Sequence, residues 1–344
     1  MYLSAIRSAG AAALALLFSL PAHGETWQAH RLKVPGGTIT KILSSPGPTG
    51  PRTFFRANGR WLELTACADN RFCLTPRRPA LAKKAPKGGL PDGFIASQAS
   101  STGPVSAWYA KPTRAYSHGI LGDRVEASAL TVRLASGKRF SVDAGSGHVF
   151  EDLTPRLADL DGDGRNEIIV IRTNLRRGAA LAVYGQHGGG LELLAATADI
   201  GRANRWRNPA LIFPSPASDE MLIAEVVTPH IGGTLKLWAL KASTGSGYRL
   251  EPRGSASGFS NHFIGSRELG LMAAGGNGLI AVPSGDRSAL RIMQAGKGRL
   301  TERGRVKLPG RIEHALGVLQ EPSGPVFLAG LDDGSVYAVS RPDP

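Results

Sequence analysis

The chain has 344 residues, with 44 glycines, 23 prolines and 6% aromatic residues, a balance that suits strands and turns better than helices. A formal net charge of +14 favours polyanionic partners, but aromatic and basic residues are not interleaved in the nucleic-acid manner, so nucleic acid is not the expected partner. Two cysteines with no His or Cys at ligand spacing make a poor zinc site.

At the N-terminus, Arg7, the apolar run from Ala9 to Leu20 and the small residues of Pro21-Ala22-His23-Gly24 predict a secretory signal over residues 1–24. The apolar run falls short of the roughly 20 residues needed to span a bilayer. No cysteine near the cleavage point can accept a lipid, so an exported protein, periplasmic or secreted and without a membrane span, is expected. Loss of Arg7 with the signal leaves a net charge of +13. In such a compartment Cys67 and Cys73 are expected to form a local disulfide that clips a hairpin, stabilising it by roughly 2 kcal/mol in the chain-entropy model.

The segment 77–89 carries five basic residues, two prolines and no acid, and it reads as an exposed loop; polyanion binding is its alternative. Short strand candidates then recur at Phe94 to Ser97, Val105 to Ala110, Ala129 to Leu134 and Arg139 to Asp143. Between them, Tyr116 to Glu126 forms a polar cluster around His118, Asp123 and Glu126. Ser117 lacks a Gly-x-Ser-x-Gly elbow and adjoins His118, which argues against a catalytic triad. No run of apolar residues at helical spacing occurs after the signal, so the fold is expected to be all-β.

The most informative stretch is Pro155 to Ile171. Asp159, Asp161, Asp163 and Glu167 stand at positions 1, 3, 5 and 9 of a loop, with the carbonyl of Arg165 at position 7 and glycines at 162 and 164. Hard oxygen ligands at that spacing suit Ca²⁺, and four carboxylates this close would repel one another without a cation. An EF-hand needs a bidentate Glu at position 12, where this chain has Val170 inside an apolar β-branched run. A calcium loop leading into a strand is therefore expected.

A loop of this kind followed by a strand resembles the FG-GAP or VCBS repeat of integrin α-subunit propellers and of many exported bacterial proteins. The close match covers about 17 residues, and the Phe-Gly and Gly-Ala-Pro elements of the repeat are absent. The resemblance implies a β-propeller in which residues 159, 161, 163, 165 and 167 ligate calcium between the first two strands of a blade.

Repetition supports that architecture. Pro155, Pro209, Phe263 and Ala315 mark units near 155–207, 208–260, 261–313 and 314–344, each spaced by 52 to 54 residues. In the second unit Phe213, Ser215, Ala217 and Met221 replace the loop ligands, so that site has lost its metal. The last unit supplies too few strands for a blade, and a strand at Gln28 to Val34 or Thr38 to Leu43 is expected to complete it. Four-stranded antiparallel blades of about 53 residues give six across residues 28–344, or seven if the stretch before Gly93 is compressed, in a single domain from residue 25.

The loops after second and fourth strands should emerge opposite the calcium loop, carrying Arg176, Arg177, Arg205, Trp206, His230, His262 and His314 as a candidate ligand face; hydrogen bonding between adjacent blades by His262 and His314, at near-equivalent repeat positions, and inter-blade packing of Trp206 are the alternatives. The leading expectation is a monomeric, non-enzymatic scaffold that binds a protein or an anionic polysaccharide. The alternative is a calcium-dependent lyase or hydrolase acting on an acidic glycan, which acids or a Tyr/Lys pair clustered at the channel would favour.

Overall fold

Alternation of side chains across a strand decides what each segment of this chain can bury. The run Glu167 to Ile171 is apolar on both parities after its first residue, so as a strand it must be covered on both faces. A computed structural model of the protein describes residues 26–45, 50–67, 72–187, 189–243 and 247–342. The signal segment 1–24 lies outside them. Among the described residues there are 25 strands and no helix.

The first strand, β1 (Gln28–Leu32), stands apart from its neighbours in sequence. Blade 1 is β2 (Ile39–Ser45), β3 (Arg52–Ala57), β4 (Arg60–Thr65) and β5 (Cys73–Pro76). Blade 2 is β6 (Ala96–Ser97), β7 (Pro104–Thr113), β8 (Glu126–Leu134) and β9 (Arg139–Asp143), followed by the short β10 (His148–Phe150). Blade 3 is β11 (Arg156–Ala158), β12 (Glu167–Asn174), β13 (Gly178–His187) and β14 (Gly190–Ala196). Blade 4 is β15 (Arg207–Pro214), β16 (Met221–Val227), β17 (Thr234–Ala242) and β18 (Tyr248–Ser257). Blade 5 is β19 (Ala273–Gly276), β20 (Leu279–Pro283), β21 (Ala289–Gly296) and β22 (Arg299–Lys307). The chain ends with β23 (Gly317–Glu321), β24 (Gly324–Gly330) and β25 (Val336–Ser340), and β1 pairs with β25 to make blade 6 four-stranded.

The fold is thus an all-β propeller of six four-stranded antiparallel blades, and the stretch before Gly93 supplies one blade rather than two. Of the two closing strands considered from sequence, the earlier one completes blade 6, and Ile39 to Ser45 opens blade 1. Cys67 and Cys73 are joined, Cα to Cα 5.8 Å, where β5 meets β4.

Five apolar clusters occupy successive blade interfaces, from blades 2 and 3 round to blades 6 and 1. Within β12, Ile168 and Val170 pack toward blade 2 while Ile169 packs toward blade 4. Trp27 caps the closure, its ring 5.9 Å from that of Phe327, so the clasp buries side chains as well as satisfying the edge of β25. Deleting residues 26–34 would expose that edge and remove the Trp27 anchor. The expected result is a large fall in the thermal midpoint, and a truncated protein that melts like the full chain would show that the ring closes by other means.

One departure from the repeat matters for the site. Strand β10 hydrogen-bonds both β12 of blade 3 and, through Phe150, β8 of blade 2, so the two blades share a continuous sheet. Immediately after it, Glu151 and Asp152 are carried into the seam, both fully buried.

Candidate metal centre and the polar face opposite it

The loop 159–166 joins β11 to β12, and its own acids shape its turns. Asp159 accepts backbone hydrogen bonds from Gly162 at 2.8 Å and Gly164 at 2.9 Å, while both glycines take positive φ, 81° and 82°. Glu167, buried at the start of β12, accepts from the Leu160 amide at 2.7 Å. Burial, then the nearby Asp161, Asp163 and Asp159 charges, push its carboxyl up to about 8, which a cation would reverse.

Asp159, Asp161 and Glu167 bring their carboxylate oxygens within 4.8 Å of one another and could hold a metal ion. The donors are all hard oxygens, which fits a cation of the calcium class. Asp163 is not in that group: its carboxylate is turned to the guanidinium of Arg165, 2.8 Å from Nε, because the two side chains meet two residues apart on a tight turn.

The loop is gripped from both sides. From blade 2, Ser100 donates to the carbonyl of Gly164 at 3.0 Å, and the buried Asn166 amide donates to the carbonyls of Ala99 and Pro104. From blade 4, the hydroxyl of Tyr248 donates to Asp161 at 2.8 Å. Tyr248 and Asn166 have no marker in sequence, since their role depends on which blades become neighbours.

Strand alternation places the loops after second and fourth strands at the other end of the blades, and there a polar cluster assembles. His118 Nδ1 lies 2.6 Å from Glu151, whose other oxygen accepts from Thr173 at 2.8 Å. Glu126, at the start of β8, is also buried. Burial first, and the Glu151 charge second, push Glu126 up to about 10, so it is protonated at neutral pH. Glu151 is likewise raised by burial. Burial also raises Tyr116 to about 12, and its hydroxyl accepts from the Asn204 amide at 2.7 Å.

Three of the residues expected on this face come together: Trp206, His230 and His262. His230 and His262 are hydrogen-bonded at 2.9 Å, and His262 also meets the carbonyl of Ser266 at 3.0 Å. Trp206, 2% exposed, donates to the carbonyl of Glu151, and His262 is fully buried, so both shape the face from beneath instead of touching a partner. Arg176 is exposed, Arg205 is half-buried, and Arg177 is paired with Asp199 at 2.7 Å. His314 lies apart, packed against Gly330 and Ile39 at the seam of blades 6 and 1. The 77–89 loop is largely exposed, though Ile95 bonds to the carbonyl of Lys83 and Arg77 lies 3.5 Å from Glu63.

Chemically, His118 backed by a buried carboxylate is an arrangement that can hold and orient a proton. Glu126 was named beside His118 in the sequence, whereas Glu151 and Asp152 were not singled out. Their apolar neighbours Val149, Phe150 and Leu153 were the available signal.

No protein-family model matches the chain, and no curated protein matches it. Solved structures do, among them the WD40 domain of Toxoplasma gondii coronin, with 12% identity, a TM-score of 0.45, and coverage of 93% of this chain and 88% of that one. By its own strand pairing this protein is a β-propeller carrying an acidic group that could bind a metal. The disulfide suits an oxidising compartment, and no helix among the described residues is long and apolar enough to cross a membrane.

Added calcium is expected to raise the thermal midpoint by binding the folded state alone. Asp161→Ala should remove most of that gain and Tyr248→Phe only part of it. A midpoint indifferent to chelator would count against the site.

The opposite face sets a pH dependence. Burial lowers His230 to about 4 and His262 to about 3, so the unfolded chain, titrating near 6.5, binds the extra protons first. Their contribution is complete above about pH 6.5 and is lost as pH falls toward 3. Glu126 acts with the opposite sign: its contribution is complete below about 4.5 and declines as pH rises toward 10. Melting curves of Glu126→Gln should therefore gain on the parent as pH rises from 5 to 9, and parallel curves would overturn the assignment.

Proposed function

We propose that the protein is an exported, non-enzymatic propeller of the FG-GAP/VCBS kind, a single monomeric domain from residue 25 onward, that binds an anionic surface polymer or a protein bearing such charge. The observation that carries this reading is the convergence of Asp159, Asp161 and Glu167 in a loop between the first two strands of a blade. Calcium is the ion assigned to it, with the Arg165 carbonyl as a further ligand and Asp163 recruited if its pairing with Arg165 opens. An ion there would fasten blade 3 to blades 2 and 4, leaving the opposite face for binding.

On that face Arg176 and Arg205 have no acid partner among the described residues, and they supply the positive charge toward a polyanion. The attraction should fade as salt screens it, with a Debye length of roughly 8 Å at physiological ionic strength. Retention on immobilised polygalacturonate tests this. Arg176→Glu combined with Arg205→Glu should abolish retention while leaving the melting point nearly unchanged. Retention that instead follows the 77–89 loop, or net charge wherever it is altered, would reduce the basicity to a general surface property.

The acids Glu126 and Glu151 beside His118 favour, as a second reading, a calcium-dependent lyase or hydrolase of an acidic glycan. The same column separates the two. Polymer that elutes shortened from the parent protein but intact from His118→Ala would replace the scaffold reading with the enzymatic one, and intact polymer from both supports the scaffold.

A further inference from the structure

Blades 1 and 2 meet unlike the others. The remaining five interfaces hold apolar clusters, whereas this one opens into a cavity of about 670 Å³ between β2, β7, β8 and the segment 80–86. That volume lies in the range of small-molecule sites, roughly 300 to 1,000 Å³.

The register of blade 2 explains why the interface does not close. Ser97, Ser106, Arg133 and Arg139 are paired across four consecutive strands, so they form one row on the face turned to blade 1. The opposite parity of the same strands, Ala107, Tyr109, Leu130 and Val132, belongs to the apolar interface with blade 3. Arg133 and Arg139 are directly opposite one another, an arrangement that like charges make unfavourable. Neither guanidinium is in an ion pair among the described residues, and no Asp or Glu lines the cavity. Beside them the wall is apolar. Trp108, 7% exposed, stands two residues along β7 on the same face, with the Arg139 guanidinium 5.9 Å from its ring. Leu43, Ile95 and the exposed Leu81 supply the rest, with Lys83 at the rim.

We propose that this cavity is a binding site for a small amphipathic anion, its charged head between Arg133 and Arg139 and its apolar body against Trp108, Leu43 and Leu81. The head relieves the repulsion between the two guanidiniums, since each can donate a charge-assisted hydrogen bond to it. The apolar body covers surface that no blade covers. The site is independent of the metal loop and of the face carrying Arg176 and Arg205.

Calorimetry with dodecanoate and dodecyl phosphate below their micelle concentrations tests the proposal, with dodecanol as the neutral control. Both anions should bind and raise the thermal midpoint, and dodecanol should bind at least tenfold more weakly. Arg133→Ser with Arg139→Ser should weaken the anions at least tenfold while leaving the ligand-free midpoint unchanged or higher. Arg139→Ser alone, at an exposed position, serves if the double variant does not fold. Fluorescence quenching by dodecanoate should disappear in Trp108→Phe. Equal affinity for dodecanol and dodecanoate, undiminished anion binding by the Arg variants, or no binding of either anion would overturn it. Co-sedimentation with phosphatidylglycerol vesicles, lost in Arg139→Ser, would identify the source as a lipid headgroup. Binding of the free anions without co-sedimentation would identify a soluble ligand.

Discussion

A four-stranded blade has two faces to bury and two edges to satisfy, and no blade can meet both needs alone. In this protein the clasp of β1 onto β25 resolves the problem for the whole ring. Five backbone-paired positions, Gln28 with Ser340 through Leu32 with Val336, tie the start of the described chain to its end. Trp27 then fills the interface of blades 5 and 6, beside Phe327 and over Gly304, where a Cβ would strike the indole.

Polar groups add to the apolar packing, both between blades and within them. Thr53 exchanges hydrogen bonds with the backbone of Val318 at the junction of blades 1 and 6. Arg207 and Glu225 are buried together in blade 4, where Trp238 donates to the same carboxylate at 2.7 Å. At the junction of blades 2, 3 and 4 the acidic loop takes this part, held by Ser100, Asn166 and Tyr248. A cation there would remove the mutual repulsion of three carboxylates and strengthen a joint between three blades, which is a structural use for a peripheral ion.

The excess of basic residues is not spread evenly in its effect. Arg253 is satisfied by Glu220 and Glu251, Arg291 by Glu302, and Arg267 by Asp92 and Asp123 from the far side of the ring. Such pairs are worth little to stability where they are exposed, but they remove those cations from the field a partner meets. Among the cations outside these pairs are Arg176 at one end of blade 3 and the Arg133 and Arg139 pair facing blade 1.

The local chemistry of this protein was written in its sequence. The spacing of Asp159, Asp161 and Glu167, the closeness of Cys67 to Cys73, the period that marks the later blades and the strand at Gln28 all depend on residues near one another in the chain, or on a repeat that brings each unit into the same register. Other features were decided only when blades became neighbours. Asp163 turned to Arg165 because the turn offered a guanidinium closer than the other carboxylates. Trp206 and His262, placed on loops in the sequence, are buried where neighbouring blades meet, Trp206 donating to the Glu151 carbonyl that follows β10 and His262 held between His230 and the carbonyl of Ser266. The cavity beside Trp108 exists because a row of serines and arginines, unremarked along the chain, falls on one face of one sheet. Position along a strand is a local property, but which face meets which blade is fixed by ring closure, and no local pattern encodes it.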